Sequence, residues 1–272
     1  MSSEPQQVSA ALASGVNPGG AGAAEGMAGA LDAGWLELWY QPKIGSRTLD
    51  LQGAEALIRM CHPQLGIVQP ARFIPRMGAR PALSQFVIAR ALADWRYFLA
   101  EQSPLDLSIN LPISFFDDPK SFDYLCRQLP DDPAFEGLIL EVDGSEITRD
   151  LSAARDFARQ RLRKIAISVD RLGGEWTTLL QLRDFPFVEI KVEPELVVGC
   201  AHDRAKRKLC RHAIDAANQL GARTVAVGVE SYADLCTARE LGFDLIQGFL
   251  FAKPLGVQTF MRAIGPGAAT VV

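Results

Sequence analysis

Three carboxylates, one side-chain amide and a lysine recur along this chain at positions that suit phosphodiester chemistry. Glu55, Asn110, Glu141 and Asp170 are hard oxygen donors of the kind Mg²⁺ and Mn²⁺ prefer, with no sulfur or imidazole among them. Lys191 adds a cation suited to a phosphate oxygen or to an activated water. Arg59, four residues after Glu55, has the fork geometry to clamp a phosphate through two parallel bonds. Metal-bridging carboxylates beside cations point to phosphodiester hydrolysis, in which two ions about 3.5–4 Å apart activate water and stabilise the leaving oxygen. That chemistry fits many hydrolases and names no substrate.

Such residues act together only if the fold brings them to one place. Short β-branched runs predict strands over Leu36–Tyr40, Gly53–Ile58, Leu105–Leu111, Gly137–Val142, Lys164–Val169, Phe187–Val192, Thr224–Val229 and Asp244–Phe249. Between them, helical patterns cover Pro81–Ala100, Lys120–Leu129, Ser152–Arg161, Thr177–Arg183, Arg204–Leu220 and Tyr232–Leu241. Runs such as LILEV, KIAISV and TVAVGV are almost wholly apolar, as expected of parallel strands covered on both faces. Eight strands interleaved with helices match an α/β (β/α)₈ barrel, with a doubly wound open sheet as the alternative. Polar side chains stand at or near successive strand ends: Gln41, Glu55, Asn110, Glu141, Asp170, Lys191, Glu230 and Gln247. Any one alone would be read as an ordinary solvent-facing residue. Eight in succession favour the barrel, whose strand ends converge on one face.

Composition narrows the partners. The 272 residues carry a net charge of −4, which argues against a surface that coats DNA or RNA. Five cysteines (Cys61, Cys126, Cys200, Cys210, Cys236) lack any C-x-x-C pair, and so predict reduced thiols in a cytoplasmic protein. Three histidines at unrelated spacings speak against a zinc site. No apolar run reaches the roughly 18–20 residues of a membrane span, and the N-terminus has no secretory pattern. Residues 1–20, rich in Ala, Ser and Gly, are expected to form a flexible tail ahead of a domain over residues 21–272. The basic run Asp203–His212 reads as a solvated helix face, and the four tryptophans as packing residues. Trp176 is the exception to watch, since it follows the Asp170 segment directly.

The motifs resemble one family. YQPKI (Tyr40–Ile44), GAEALIRM (Gly53–Met60), HPQLGIVQPARFIP (His62–Pro75), LSINLPISFF (Leu107–Phe116) and LILEV (Leu138–Val142) are similar to segments of the EAL domain. So are SVDRLGG (Ser168–Gly174), VEIKVEPELV (Val188–Val197), VAVGVES (Val225–Ser231) and LGFDLIQGFLFAKP (Leu241–Pro254), in the family's order. The resemblance implies a (β/α)₈ barrel with one antiparallel strand that cleaves cyclic di-GMP to linear pGpG using Mg²⁺ or Mn²⁺. It implies that Glu55, Asn110, Glu141 and Asp170 are ligands of a first metal and that Lys191 stands beside the attacking water. Gln247 matches a glutamine near the site, and Gln41 and Arg59 match positions that hold the dinucleotide. Glu230 matches the second glutamate of the family's A-E-G-V-E segment.

Three departures weigh against turnover. The family's D-D-F-G-T-G is Asp170-Arg171-Leu172-Gly173-Gly174-Glu175 here, so a ligand of the second metal has become a cation. The first glutamate of A-E-G-V-E is Val227, and the second of E-x-T-E is Gly144. An arginine there repels a metal ion, and a valine removes an oxygen donor. Loss of one of two Lewis acids is expected to slow hydrolysis by several orders of magnitude, each tenfold being about 1.4 kcal/mol of barrier. Arg171 either takes the second ion's place, neutralising Asp170 or a ligand phosphate, or simply points to solvent.

The leading expectation is therefore a receptor: it binds cyclic di-GMP with little or no hydrolysis, holds Mg or Mn at one site or none, and relays to a protein partner. A slow phosphodiesterase, with Glu55 and Lys191 as its catalytic pair, and an interaction module that has abandoned the nucleotide are the alternatives. EAL barrels often dimerise through the loop after the aspartate pair, and the rewritten loop weakens the case for a homodimer.

Overall fold

The computed structural model describes residues 29–77, 81–101, 105–116, 118–149, 164–171, 176–182 and 185–264. The expected tail (1–20) and the expected helix Ser152–Arg161 lie outside them. The chain divides into two units, residues 1–37 with 58–80, and residues 38–57 with 81–272.

Strands β1 (Leu36–Gly45) and β2 (Leu51–His62) run through both units. In the first unit, β3 (Gly66–Val68) pairs antiparallel with the end of β2, with Met60 opposite Val68, and α1 (Pro70–Met77) follows. The turn between β2 and β3 is pinned by His62, whose Nδ1 accepts from the backbone N–H of Gln64 (3.1 Å) and Leu65 (3.2 Å). The Trp35 ring meets His62 edge-on, and Cys61 N–H donates to Trp35 O.

The second unit is the barrel. In chain order it continues with α2 (Pro81–Ala100), β4 (Leu107–Asn110), α3 (Pro119–Gln128), β5 (Leu138–Asp143), α4 (Gly144–Arg149), β6 (Ile165–Asp170) and α5 (Trp176–Leu179). There follow β7 (Phe187–Val192), α6 (Pro194–Val197), α7 (Arg204–Leu220), β8 (Arg223–Val227), α8 (Tyr232–Leu241), β9 (Leu245–Gln247), β10 (Leu255–Gly256) and α9 (Val257–Ile264). From β2 through β4, β5, β6, β7, β8 and β9 every neighbouring pair is parallel. Strand β1 pairs with β2 on one side and antiparallel with β9 on the other, which closes eight strands into a barrel. Closure rules out the open sheet.

Sequence chemistry accounts for the elements. The apolar runs of β5 and β6 are buried along nearly their whole length because the lumen takes one face and helices take the other. Helix α2 turns Val87, Ile88, Ala91, Leu92, Trp95 and Phe98 inward at helical spacing. The Phe98 ring packs against Tyr40 and Phe260, and Tyr40 Oη donates to the buried Asp94 carboxylate at 2.7 Å. Helix α7 starts where the Asp203 side chain accepts from the N–H groups of Ala205 and Lys206, and stops at Gly221 with φ +68°. Helix α8 is bounded the same way, by Ser231 and by Gly242 at φ +94°.

All eight expected strands are present, and α2, α7 and α8 keep their expected limits. The expected helix Thr177–Arg183 is α5 followed by a 3₁₀ turn over Leu180–Leu182. Short β3 and β10, and α1, α4, α6 and α9, were not anticipated, being too brief or too weakly periodic to announce themselves. Trp176 is buried at the start of α5, its indole N–H without a hydrogen-bond partner among the described residues.

Candidate functional site

The C-terminal ends of the parallel strands carry the site. Asn110 is the register partner of Glu141 across β4 and β5, Asp143 of Asp170 across β5 and β6, and Val227 of Gln247 across β8 and β9. Alternation along each strand then decides what faces the lumen, because residues two apart share a face. Thus Gln41 and Lys43 on β1, and Glu189 and Lys191 on β7, project as pairs and are all buried.

The buried charges bond across the barrel. Lys191 Nζ donates to Glu141 Oε2 at 2.7 Å and to Glu55 Oε2 at 2.9 Å, and lies 4.0 Å from Asp170 Oδ2. Strand β7 is adjacent to neither β2 nor β5, so these bonds are chords through the lumen. Lys43 Nζ lies 2.9 Å from Glu141 Oε1 and donates to Glu189 Oε2 at 2.5 Å. Glu189 Oε1 in turn accepts from Arg223 Nη2 at 3.0 Å. Asn110 Nδ2 and Gln247 Nε2 each donate to Glu55 at 2.8 Å, and Gln41 Nε2 donates to Ala252 O at 3.2 Å.

Burial and charge set the protonation states. Burial alone would lower the Lys191 ammonium, but Glu141, Glu55 and Asp170 overcome this and hold it well above the usual lysine range. Lys43 is raised in the same way by Glu141 and Glu189, again against burial. Burial works to raise the Glu141 carboxyl, yet Lys191 and Lys43 together hold it well below the ordinary range. Glu55 goes the other way, pushed up by burial and by Glu141, with Lys191 and Lys43 pulling back.

The structure thus brings together Gln41, Glu55, Asn110, Glu141, Asp170, Lys191 and Gln247. Arg171, at φ +52° and two-thirds exposed, places Nη2 3.3 Å from Asp143 and Nε 3.9 Å from Asp170. Val227, at the end of β8, supplies no donor beside Gln247. Glu230 is exposed in the loop after β8 and joins none of the ion pairs found among the described residues. Arg59 belongs to the first unit, where it is buried and its Nη1 donates to Ile58 O at 2.8 Å.

The sequence reading missed Lys43, Glu189, Arg223 and Asp143. A signal existed for three of them. Lys43 lies two residues from Gln41, Glu189 two from Lys191, and Asp143 two from Glu141, so each shares a strand face with a residue already singled out. Arg223 had no such neighbour.

The donor set fits one hard divalent cation in chemistry: three carboxylates, the Asn110 amide, and a buried Gln247 Oε1 with no partner among the described residues. Two of the carboxylates are bonded to the Lys191 ammonium instead, and no cluster of three metal-binding acids, histidines or cysteines forms among the described residues. Near this set, Arg171 and Val227 add no further oxygen donor: the Arg171 guanidinium lies 3.9 Å from Asp170, and Val227 is the register partner of Gln247.

Comparison with known proteins agrees with this architecture. The EAL domain family model matches residues 25–254. A cyclic di-GMP phosphodiesterase of Pseudomonas aeruginosa is 33% identical over 225 residues, covering 81% of this chain and 38% of that protein. The bifunctional diguanylate cyclase/cyclic di-GMP phosphodiesterase MucR of the same organism is 28% identical over 243 residues, covering 86% of this chain and 35% of that protein. The chain therefore spans little more than a third of these relatives' length. The structure of the MucR phosphodiesterase in complex with cyclic di-GMP superposes with TM-score 0.78 at 26% identity, over 87% of this chain and 98% of that one. The Xanthomonas citri FimX EAL domain shares the fold, with TM-score 0.75 at 19% identity, over 85% of this chain and 92% of that one. The matched span, the barrel closed by one antiparallel strand and the strand-end acids place this chain in the EAL domain family.

Proposed function

We propose that this EAL barrel binds cyclic di-GMP as a receptor, with little or no hydrolysis, and passes the signal to a protein partner. The observation that carries the reading is the guanidinium of Arg171 beside Asp170, at the position where the family's second aspartate stands. With Val227 in place of a family glutamate that helps position metal and water, and Gly144 in place of one that steadies the loop after the aspartate pair, the second ion loses its support while the first set and Lys191 remain.

In this reading several groups hold the nucleotide. Lys191 donates to a phosphoryl oxygen once it releases one carboxylate, and Gln41 and Gln247 supply amide donors from β1 and β9. The resemblance assigns a phosphate to Arg59, and Glu230 would contribute from the loop after β8. Glu55, Asn110, Glu141 and Asp170 would hold one Mg²⁺ or Mn²⁺, which when bound polarises a phosphoryl oxygen and its own water. Asp170 and Asp143 hold Arg171 near the same end of the barrel, where its charge favours an anionic ligand over a second metal ion. A second reading, a slow phosphodiesterase with Glu55 and Lys191 as its catalytic pair, is favoured by one observation: Lys191 stays bonded to Glu55, and to Glu141 beside it.

Calorimetric titration with cyclic di-GMP in Mg²⁺ buffer, with the products chromatographed for pGpG, separates these readings. Saturable heat near one ligand per chain without pGpG supports the receptor. Continuing heat with pGpG supports the slow enzyme. Absence of heat at high micromolar ligand removes both and leaves a protein-interaction module. No helix among the described residues is long and apolar enough to cross a membrane. The protein partner and a cytoplasmic location stand as part of this proposal.

A further inference from the structure

The site contains a second buried lysine that none of the roles above uses. Lys43 reaches in from β1 and lies on Glu141 Oε1, while Lys191 takes Glu141 Oε2. Glu189 holds Lys43 from the far side and Arg223 holds Glu189, so signs alternate from Lys191 through Glu141, Lys43 and Glu189 to Arg223. All but Arg223 are at most 2% exposed. Water therefore screens these charges weakly, and each is felt by its neighbours.

We propose that Lys43 is a resident counter-ion that sets how strongly this barrel holds a divalent cation. The inference rests on the reading of Glu55, Asn110, Glu141 and Asp170 as the donors for one ion. A cation arriving beside Glu141 meets a carboxylate whose charge is already answered from two sides. It is also repelled by the Lys43 ammonium, 2.9 Å behind that carboxylate. Both effects weaken binding, and neither depends on Lys43 touching the cation.

The bland alternative is that Lys43 merely neutralises Glu189 for the sake of folding. Two substitutions separate the roles because both break the same ion pair. Lys43→Met removes a positive charge from Glu141, whereas Glu189→Gln leaves that charge in place and removes its restraint. Mn²⁺ alone is titrated calorimetrically into the nucleotide-free chain, and the rise in unfolding temperature on adding Mn²⁺ is read in parallel. The expected result is that Lys43→Met binds Mn²⁺ about tenfold tighter than the wild type, about 1.4 kcal/mol. Glu189→Gln is expected to bind several-fold more weakly, and Lys43→Arg to return to the wild-type affinity. Shifts in the same direction for Lys43→Met and Glu189→Gln, or no shift for Lys43→Met, overturn the proposal. Should Lys43→Met fail to fold, the double variant K43M/E189Q replaces it. A double variant no tighter than Glu189→Gln is equally fatal.

Two controls keep this inference apart from the reading beneath it. Mn²⁺ binding unchanged in Glu141→Gln would show that the donor set itself was misassigned. Cyclic di-GMP is titrated into the same preparations in Mg²⁺ buffer. Loss of the nucleotide response with the Mn²⁺ pattern intact would sink the receptor and leave the role of Lys43 standing.

Discussion

Replacing Lys191 by methionine tests the central claim that one ammonium holds two buried carboxylates together. The lysine is 2% exposed and bonds Glu141 at 2.7 Å and Glu55 at 2.9 Å. Methionine keeps much of the volume and removes the charge, leaving two like charges in a dry lumen. Breaking a buried pair by removing one partner costs about 3–5 kcal/mol. For a domain of this size that is a fall of about 6–20 °C in unfolding temperature, measured with a chelator present so that no metal substitutes for the lysine. The pH dependence also steepens. In the wild type Glu141 is held low by Lys191 and Lys43 against burial, so its contribution is present above the ordinary glutamate pKa of about 4.3 and drains away as pH falls. In the variant only Lys43 still holds Glu141 down, while burial and Glu141 push Glu55 further up, so protonated Glu55 favours the fold at acid pH and stability drains as pH rises. Unfolding temperatures recorded from about pH 5 to about pH 8 should therefore fall with rising pH in Lys191→Met. A variant that stays within about 2 °C of the wild type across that range would refute the buried network.

Three further outcomes are expected. A methyl at Gly248 would stand 2.0 Å from Val229 O and 2.5 Å from Val229 N, so Gly248→Ala must displace the loop after Gln247. It should lose at least about 1–3 kcal/mol by thermal unfolding and weaken nucleotide binding; an unchanged melt would contradict the close approach. Asp203→Ala removes the cap of α7, whose carboxylate accepts from Ala205 and Lys206 and joins none of the site bonds above, and should cost about 1 kcal/mol with cyclic di-GMP affinity unchanged in calorimetry. The Arg171→Asp change gives up two ion pairs to half-buried Asp143 and Asp170 and sets a third carboxylate beside them, so stability should fall by about 0.5–1 kcal/mol. Combined with Val227→Glu and Gly144→Glu, it should raise pGpG formation in Mn²⁺ by at least about tenfold, and no increase would count against the account of lost hydrolysis.

The sequence by itself determined the element types, the barrel and the strand-end acids. Apolar runs such as LILEVD are long enough to demand cover on both faces, and helix limits such as Asp203 and Gly221 are local chemistry that reads directly from the chain. The family motifs located Glu55, Asn110, Glu141, Asp170 and Lys191 for the same reason: each is tied to a strand end a few residues away. What only the tertiary structure decided is which charges meet. Lys43 and Glu141 are almost a hundred residues apart, and Lys43 and Glu189 are 146 apart, on strands that are not neighbours in the sheet. No local spacing encodes such a chord. It exists because closing the sheet turns one face of every strand into a small water-poor lumen, where each buried charge must find an opposite one.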